Sequence, residues 1–343
     1  GTGDHIVDMY NVEEFDITGG SGNDYLDAST STWARLIGGA GNDYLASGSG
    51  NDSLVGGVGN DTLYGGTGSD SLYGGDGDDW IYAGAGGDDV ISGGFGFYRL
   101  ELDISNGTAK VVVASLIGAA QTLPDDTVLS GIEAITRLTT GAGNDRFTLA
   151  SPLTSGHLWY AGSGTDRAII DYSEFSTPIS FTLANTNWFR AAFNGGTGDH
   201  IVDMYNVEEF DITGGSGNDI FDANGAAWVS FQGGAGDDQF SVDAVAAGTI
   251  SGGSGTDFLR ISRSGSSVGE VIQVDGLSGG SFTLSGGTVV SGIEQLQFVG
   301  GSGNDRVTFT NILAAATSFN GGGGTDRVTA DYSNFSTPIY LTL

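Results

Sequence analysis

Residues 38–91 read GGAGNDYLA (38–46), SGSGNDSLV (47–55), GGVGNDTLY (56–64), GGTGSDSLY (65–73), GGDGDDWIY (74–82) and AGAGGDDVI (83–91), six consecutive nonapeptides. Each copy runs from small residues through one aspartate into a short segment with an apolar residue at its centre. The aspartates fall at Asp43, Asp52, Asp61, Asp70, Asp79 and Asp88. A fixed short period marks a repeat architecture with one continuous core. It also stacks identical carboxylates in register.

Around this run the composition is consistent with turns and short strands. The 343 residues include 62 glycines, 4 prolines and no cysteine, so disulfides and thiolate metal sites are excluded. With 42 acidic against 11 basic residues the net charge is −31, and Lys110 is the lone lysine. Such a chain is repelled by nucleic acid and by anionic membranes and attracts cations. No run of 18 apolar residues suggests membrane insertion.

A second period lies above the first. Residues 1–24 recur unchanged as 196–219, an offset of 195, and 163–183 resembles 323–343 at an offset of 160. The chain is therefore expected to begin and end inside a tandem array. Single motifs place further aspartates at Asp24, Asp145, Asp166, Asp219, Asp238, Asp257, Asp305 and Asp326. The steps 24 to 43, 219 to 238 and 238 to 257 are each 19 residues, two nonapeptides plus one, with the intervening copy degenerate. Steps 145 to 166 and 305 to 326 are 21, again about one coil.

The expected organisation is an array over 1–94, a strand-rich insert over 95–140 and a degenerate solenoid or strand segment over 141–213. A second, one-edged array over 214–257 follows, then a second insert over 258–299 and the start of a further solenoid segment over 300–343. Alternation such as Arg99-Leu100-Glu101-Leu102-Asp103-Ile104 argues half-buried strands in the inserts. No window reads as a long amphipathic helix, so the fold class is all-β.

The pattern G-G-x-G-x-D-x-U-x, with U a large apolar residue, resembles the RTX (repeats-in-toxin) family over 19–91, over 214–260 and at several single motifs. The resemblance implies a parallel β-roll or β-solenoid that binds multiple calcium ions, exported by type I secretion to the outside of a bacterial cell. It also implies folding on calcium there.

Physical reasoning reaches the same arrangement. The x-U-x segment makes a three-residue strand with U inward, so Leu45, Leu54, Leu63, Leu72, Ile81 and Val90 form two stacked apolar ladders. Two nonapeptides close one coil. Turns two copies apart then share an edge at the spacing of neighbouring strands, about 4.8 Å. An ion between them reaches oxygens of both at about 2.3–2.6 Å. One edge carries Asp24, Asp43, Asp61 and Asp79, and the other Asp52, Asp70 and Asp88. Asp219, Asp238 and Asp257 share one edge of the second array, whose opposite edge lacks the motif.

Catalytic constellations are weak. His5 and His200 are one position duplicated, and His157 stands alone, so all three read as surface or turn residues. Gly265-Ser266-Ser267-Val268-Gly269 fits G-x-S-x-G, but no histidine follows residue 200 and no helix pattern follows Gly269. The tryptophans read as core or edge packing. No enzyme activity is expected. The chain reads as a structural segment of a surface adhesin, S-layer or extracellular fibre, able to self-associate into a lattice or fibre. The alternative is a calcium module attached to a secreted protease, lipase or epimerase.

Overall fold

In a computed structural model the chain is built from short strands, with no helix among the described residues. The described residues are 12–87, 89–95, 99–103, 112–113, 121–122, 128–130, 134–149, 157–185, 188–193, 201–222, 225–243, 247–274, 280–284, 286–309, 317–331 and 333. His5, His200, Asp88 and most of the 95–140 insert lie outside them. Among the described residues no helix is long and apolar enough to cross a membrane. Two compact units form, 1–148 with 153–164 and 149–152 with 165–343.

In the first unit two sheets face each other, and the chain alternates between them. One sheet runs Glu14–Thr18, Trp33–Ala40, Ser53–Val58, Ser71–Asp76 and Val90–Phe95, every pairing parallel. The other runs Tyr25–Asp27, Tyr44–Ala46, Thr62–Tyr64, Trp80–Tyr82 and Arg99–Asp103, also parallel. Each strand therefore hydrogen-bonds to the strand one full coil away, which defines a parallel β-solenoid. Leu45, Leu63, Ile81 and Leu100 stack from one sheet and Leu36, Leu54, Leu72 and Ile91 from the other, all at most 1% exposed.

The last member of that second ladder differs from expectation. Ile91, not Val90, pairs with Leu72, and Val90 is 39% exposed. The final turn holds one more residue than its predecessors, and with a side-chain period of two that slip turns Val90 outward. The sheet containing Leu54 also has longer strands than the expected three residues, because pairing continues into the turn, as at Gly57 with Gly75.

The second unit keeps the same plan with a wider core. Ile220–Asp222, Gln239–Val242, Phe258–Ser262, Gln295–Val299 and Ser318–Asn320 stack in parallel. Opposite them stack Arg167–Asp171, Glu209–Thr213, Trp228–Ala235, Ala247–Ser254 and Thr288–Ser291. Several of its strands of four residues or more bury two side chains, such as Phe240 with Val242 and Phe298 with Leu296. Phe221 and Phe240 stack at 5.0 Å. The strands Phe258–Ser262 and Gln295–Val299 of the second insert thus continue the coil. Antiparallel trios interrupt the parallel order twice, at Ile179–Asn185, Trp188–Phe193 and Ile201–Tyr205, and at Val271–Val274, Ser281–Thr283 and Thr288–Ser291.

The tryptophans take core and edge positions. Trp159 is 1% exposed, whereas Trp33 and Trp80 are 37% and 39% exposed. Trp228 lies under the Arg167 guanidinium, 3.9 Å from ring centre to Cζ.

Candidate metal centre

Close stacking of the coils leaves no room for a side chain at particular glycines of the turns. A Cβ on Gly41 would stand 2.5 Å from the Gly22 carbonyl oxygen, and its φ of 112° is one that L residues rarely adopt. Gly39, with φ 115°, would drive a Cβ into the Gly20 carbonyl. Glycine at these places lets coils approach at strand spacing and brings their carbonyls together.

Each motif ends by placing its aspartate at the mouth of a strand, turned inward. Asp43, Asp52, Asp61, Asp70 and Asp79 are at most 3% exposed, and Asp219, Asp238 and Asp257 are fully buried. They form ladders. Asp24 N–H donates to Asp43 Oδ1, Asp43 N–H to Asp61 Oδ1 and Asp61 N–H to Asp79 Oδ1, at 2.7–2.8 Å. On the other edge Ala34 N–H donates to Asp52 Oδ1, Asp52 N–H to Asp70 Oδ1 and Asp70 N–H to Asp89 Oδ1. In the second unit Ile179 donates to Asp219, Asp219 to Asp238 and Asp238 to Asp257. Glu270 N–H donates to Asp305 Oδ1, and Asp305 N–H to Asp326 Oδ1.

Oδ1 is thus occupied along each ladder, whereas at the inner rungs Oδ2 is not. The Oδ2 atoms of Asp43, Asp52, Asp61, Asp70, Asp79, Asp238, Asp257 and Asp305 are buried without a hydrogen-bond partner. A buried unpaired carboxylate oxygen is costly unless a charge meets it. Carbonyl oxygens converge on the same places. A Cβ on Gly38 would collide with Asp43 Oδ2 and lie 2.7 Å from the Gly56 carbonyl oxygen of the next coil. Gly56 repeats this with Asp61 Oδ2 and the Gly74 carbonyl at 2.6 Å, and Gly74 with Asp79 Oδ2 and the Gly93 carbonyl at 2.8 Å.

Burial pushes these carboxyl groups up, Asp70 to about 7 and Asp79 to about 6, with neighbouring carboxylates adding in the same direction and the ladder N–H groups opposing. Asp238 rises to about 7 for the same reasons, and burial also raises Asp43, Asp61, Asp219 and Asp257. The array is therefore poised for a cation. Among the described residues no group of three or more His, Cys, Asp or Glu side chains forms a cage. The donor set is instead one carboxylate per turn plus backbone carbonyls. Such all-oxygen, hard donors suit calcium, which takes six to eight of them in flexible geometry. A bound ion would offset the stacked negative charge and supply the missing partner of Oδ2.

The expected edges correspond to the observed ladders. Asp24, Asp43, Asp61 and Asp79 lie on one, Asp52 and Asp70 on the other, and Asp219, Asp238 and Asp257 on a single edge of the second unit. Asp88 lies outside the described residues. The next aspartate, Asp89, is 3% exposed and accepts the Asp70 N–H in the sixth copy. Asp145 and Asp166 stand buried at the mouths of strands Arg146–Leu149 and Arg167–Asp171. At the ladder ends Asp24 and Asp219 also accept the Gly20 and Gly215 N–H groups on Oδ2.

Sequence reasoning missed three things. Glu208 Oε2 accepts the Asp166 N–H and Glu294 Oε2 the Asp257 N–H, so glutamates occupy aspartate positions in the register. Burial raises Glu208 as it does the aspartates. Their signal was the recurring phrase before a strand, NVE (206–208) or SGIE (291–294), whose final residue matches the phase of the motif aspartate. The residue before the aspartate builds a second ladder, Asn42 N–H donating to Asn23 Oδ1, Asn60 N–H to Asn42 Oδ1 and Asp78 N–H to Asn60 Oδ1.

Residues 16–30, 35–63, 55–89, 64–100 and 211–227 match the family model described as RTX calcium-binding nonapeptide repeat (4 copies). The chain carries RTX calcium-binding repeats. No curated protein matches it. The matched RTX segments coincide with the first unit's ladders and with the turn that opens the second array. The later turns at Asp238, Asp257 and Asp305 keep the RTX geometry beyond the matched residues.

Proposed function

We propose that this is a calcium-folded structural segment, not an enzyme, of a secreted bacterial surface protein such as an adhesin, S-layer or extracellular fibre. The observation that carries the reading is the set of buried, partnerless Oδ2 atoms repeated at every inner rung. An ion bound only by the folded chain adds its binding free energy to folding. Extracellular calcium modules operate at roughly 10⁻⁴–10⁻³ M, far above cytosolic levels, so the chain would stay unfolded until exported. The unchanged 24-residue repeat at an offset of 195 supports a role in building length, since copies of one unit multiply rungs. Self-association into a lattice or fibre belongs to the same proposal.

Circular dichroism in EGTA and then in millimolar calcium tests the folding step. A β signal that appears only with calcium is expected, and a spectrum unchanged by the chelator overturns it. Electron microscopy of the natural assembly tests the structural role, which predicts a lattice or fibre that dissolves in EGTA.

A further inference from the structure

The coil that follows Asp257 in the stack has no G-G-x-G-x-D turn. It reads Ser291-Gly292-Ile293-Glu294 and leads into Gln295–Val299, which pairs with Phe258–Ser262 so that Gln295 faces Phe258. Glu294 therefore falls beside Asp257 in the acid register. Asp257 N–H donates to Glu294 Oε2 at 2.8 Å, just as Asp238 N–H donates to Asp257 Oδ1 at 2.9 Å.

The rest of the rung is reproduced as well. Gly292, at φ 60°, aims its carbonyl at the place of a Gly252 Cβ, where Asp257 Oδ2 also lies. One coil earlier the Gly252 carbonyl and Asp238 Oδ2 meet at Gly233 in the same way. Ile293, 1% exposed, anchors the short turn in the core. Asp257 is fully buried and its Oδ2 has no partner. Among the described residues no cation pairs with either carboxylate.

Glu270 shows the contrasting solution. It too lies next to an RTX aspartate, donating its N–H to Asp305 Oδ1, but its own carboxylate takes Arg263 Nε at 2.9 Å and Nη2 at 2.8 Å. That turn carries its own buried cation, whereas the Asp257–Glu294 turn does not.

We propose that Asp257, the Gly292 carbonyl and Glu294 form a divalent-cation site, closed by a glutamate turn that the nonapeptide motif does not mark. This rests on the reading that the partnerless Oδ2 atoms are calcium ligands. The longer glutamate side chain supplies from a short turn the carboxylate that an aspartate supplies from a six-residue one.

The test uses the full chain. Bound calcium is counted by equilibrium dialysis, and hydrogen exchange is followed by mass spectrometry over 252–258, 292–299 and 43–79. Glu294→Gln keeps an oxygen for the Asp257 N–H and removes the charge. It should lower the count by one ion and abolish calcium-induced protection at 252–258, leaving 43–79 unchanged. A full count with full protection in E294Q overturns the site. No calcium-induced protection anywhere in the wild-type chain overturns the proposed function itself. Should E294Q in calcium lose protection throughout 292–299 as well, Asp257→Asn decides. Asp257 then borders a rung on either side, so D257N must lose two ions, and a loss of only one overturns the inference.

Discussion

The turns between Asp24 and Asp89 and those between Asp219 and Asp257 build coils from the same motif, yet they support those coils differently. The first set carries aspartates on both edges, and one of its sheets has three-residue strands with a single inward aliphatic side chain each. The second set carries aspartates on one edge only. Ala227 aligns with Glu208 across the other edge, and the strands beyond it bury Val229, Phe231 and Ile250. A buried phenylalanine contributes roughly 1.5–3 kcal/mol of apolar transfer. Calcium on an edge and phenyl rings in the core are alternative ways to hold one coil on the next.

Withdrawal of calcium should separate the two sets most. Without an ion, each inner rung of the first set keeps a buried anionic oxygen unmet, on both edges at once. We expect amide protection at Asp43, Asp61 and Asp79 to disappear at higher free calcium than protection in Trp228–Ala235 and Gln239–Val242. Hydrogen exchange across a calcium titration reads this directly. Loss of both at one calcium concentration would break the comparison.

Acidity should act next, and with opposite signs in the two conditions. Burial raises the folded pKa of Asp79 to about 6 and of Asp70 and Asp238 to about 7, above the ordinary value of 3.8. Folding of the ion-free chain therefore takes up protons. Its stabilising contribution is complete below about 3.8, the value these groups take when unfolded, and is lost as pH climbs through about 6 and 7. Metal-stripped protein should therefore keep more β signal in circular dichroism at pH 4.5 than at pH 8. In saturating calcium the order should invert, because protons compete with the ion for the same carboxylates. A β signal that does not respond to pH in metal-stripped protein would remove the link between burial and ion demand.

Much of this was legible in the sequence because the period of nine couples turn, strand and carboxylate in one phase. Leu45, Leu54, Leu63, Leu72 and Ile81 take the inward positions that the period assigns. The 19-residue steps of Asp219, Asp238 and Asp257 place them on one edge as spacing requires. The period fails where a turn changes length. One additional residue near Gly86 and Gly87 carries the inward position from Val90 to Ile91. Glu208 and Glu294 escaped notice because their turns lack the glycines that announce a motif, although the strand pairing restores their phase. The antiparallel trio around Ser281–Thr283 has alternation but no partner written into it, since pairing direction depends on contacts distant in sequence.

Asn60 and Asp61 provide the finest test of what calcium does, since they are neighbours with the same bonding pattern. Asn60 Oδ1 accepts the Asp78 N–H at 3.0 Å in an exposed ladder, and Asp61 Oδ1 accepts the Asp43 N–H at 2.7 Å in a buried one. Asn60→Ala frees an N–H that water can meet, so it should cost about 1 kcal/mol or less. That small cost should be equal at limiting and at saturating calcium. Asp61→Asn keeps an acceptor for the Asp43 N–H and relieves the buried charge, so in EGTA it should be no more unfolded than wild type. In calcium the same substitution should lose the stabilisation that ions on either side of it contribute. Circular dichroism in EGTA, with chemical denaturation of both variants at limiting and at saturating calcium, separates the two ladders. An Asn60→Ala cost that grows with calcium would place the amide ladder, too, among the supports of the ion.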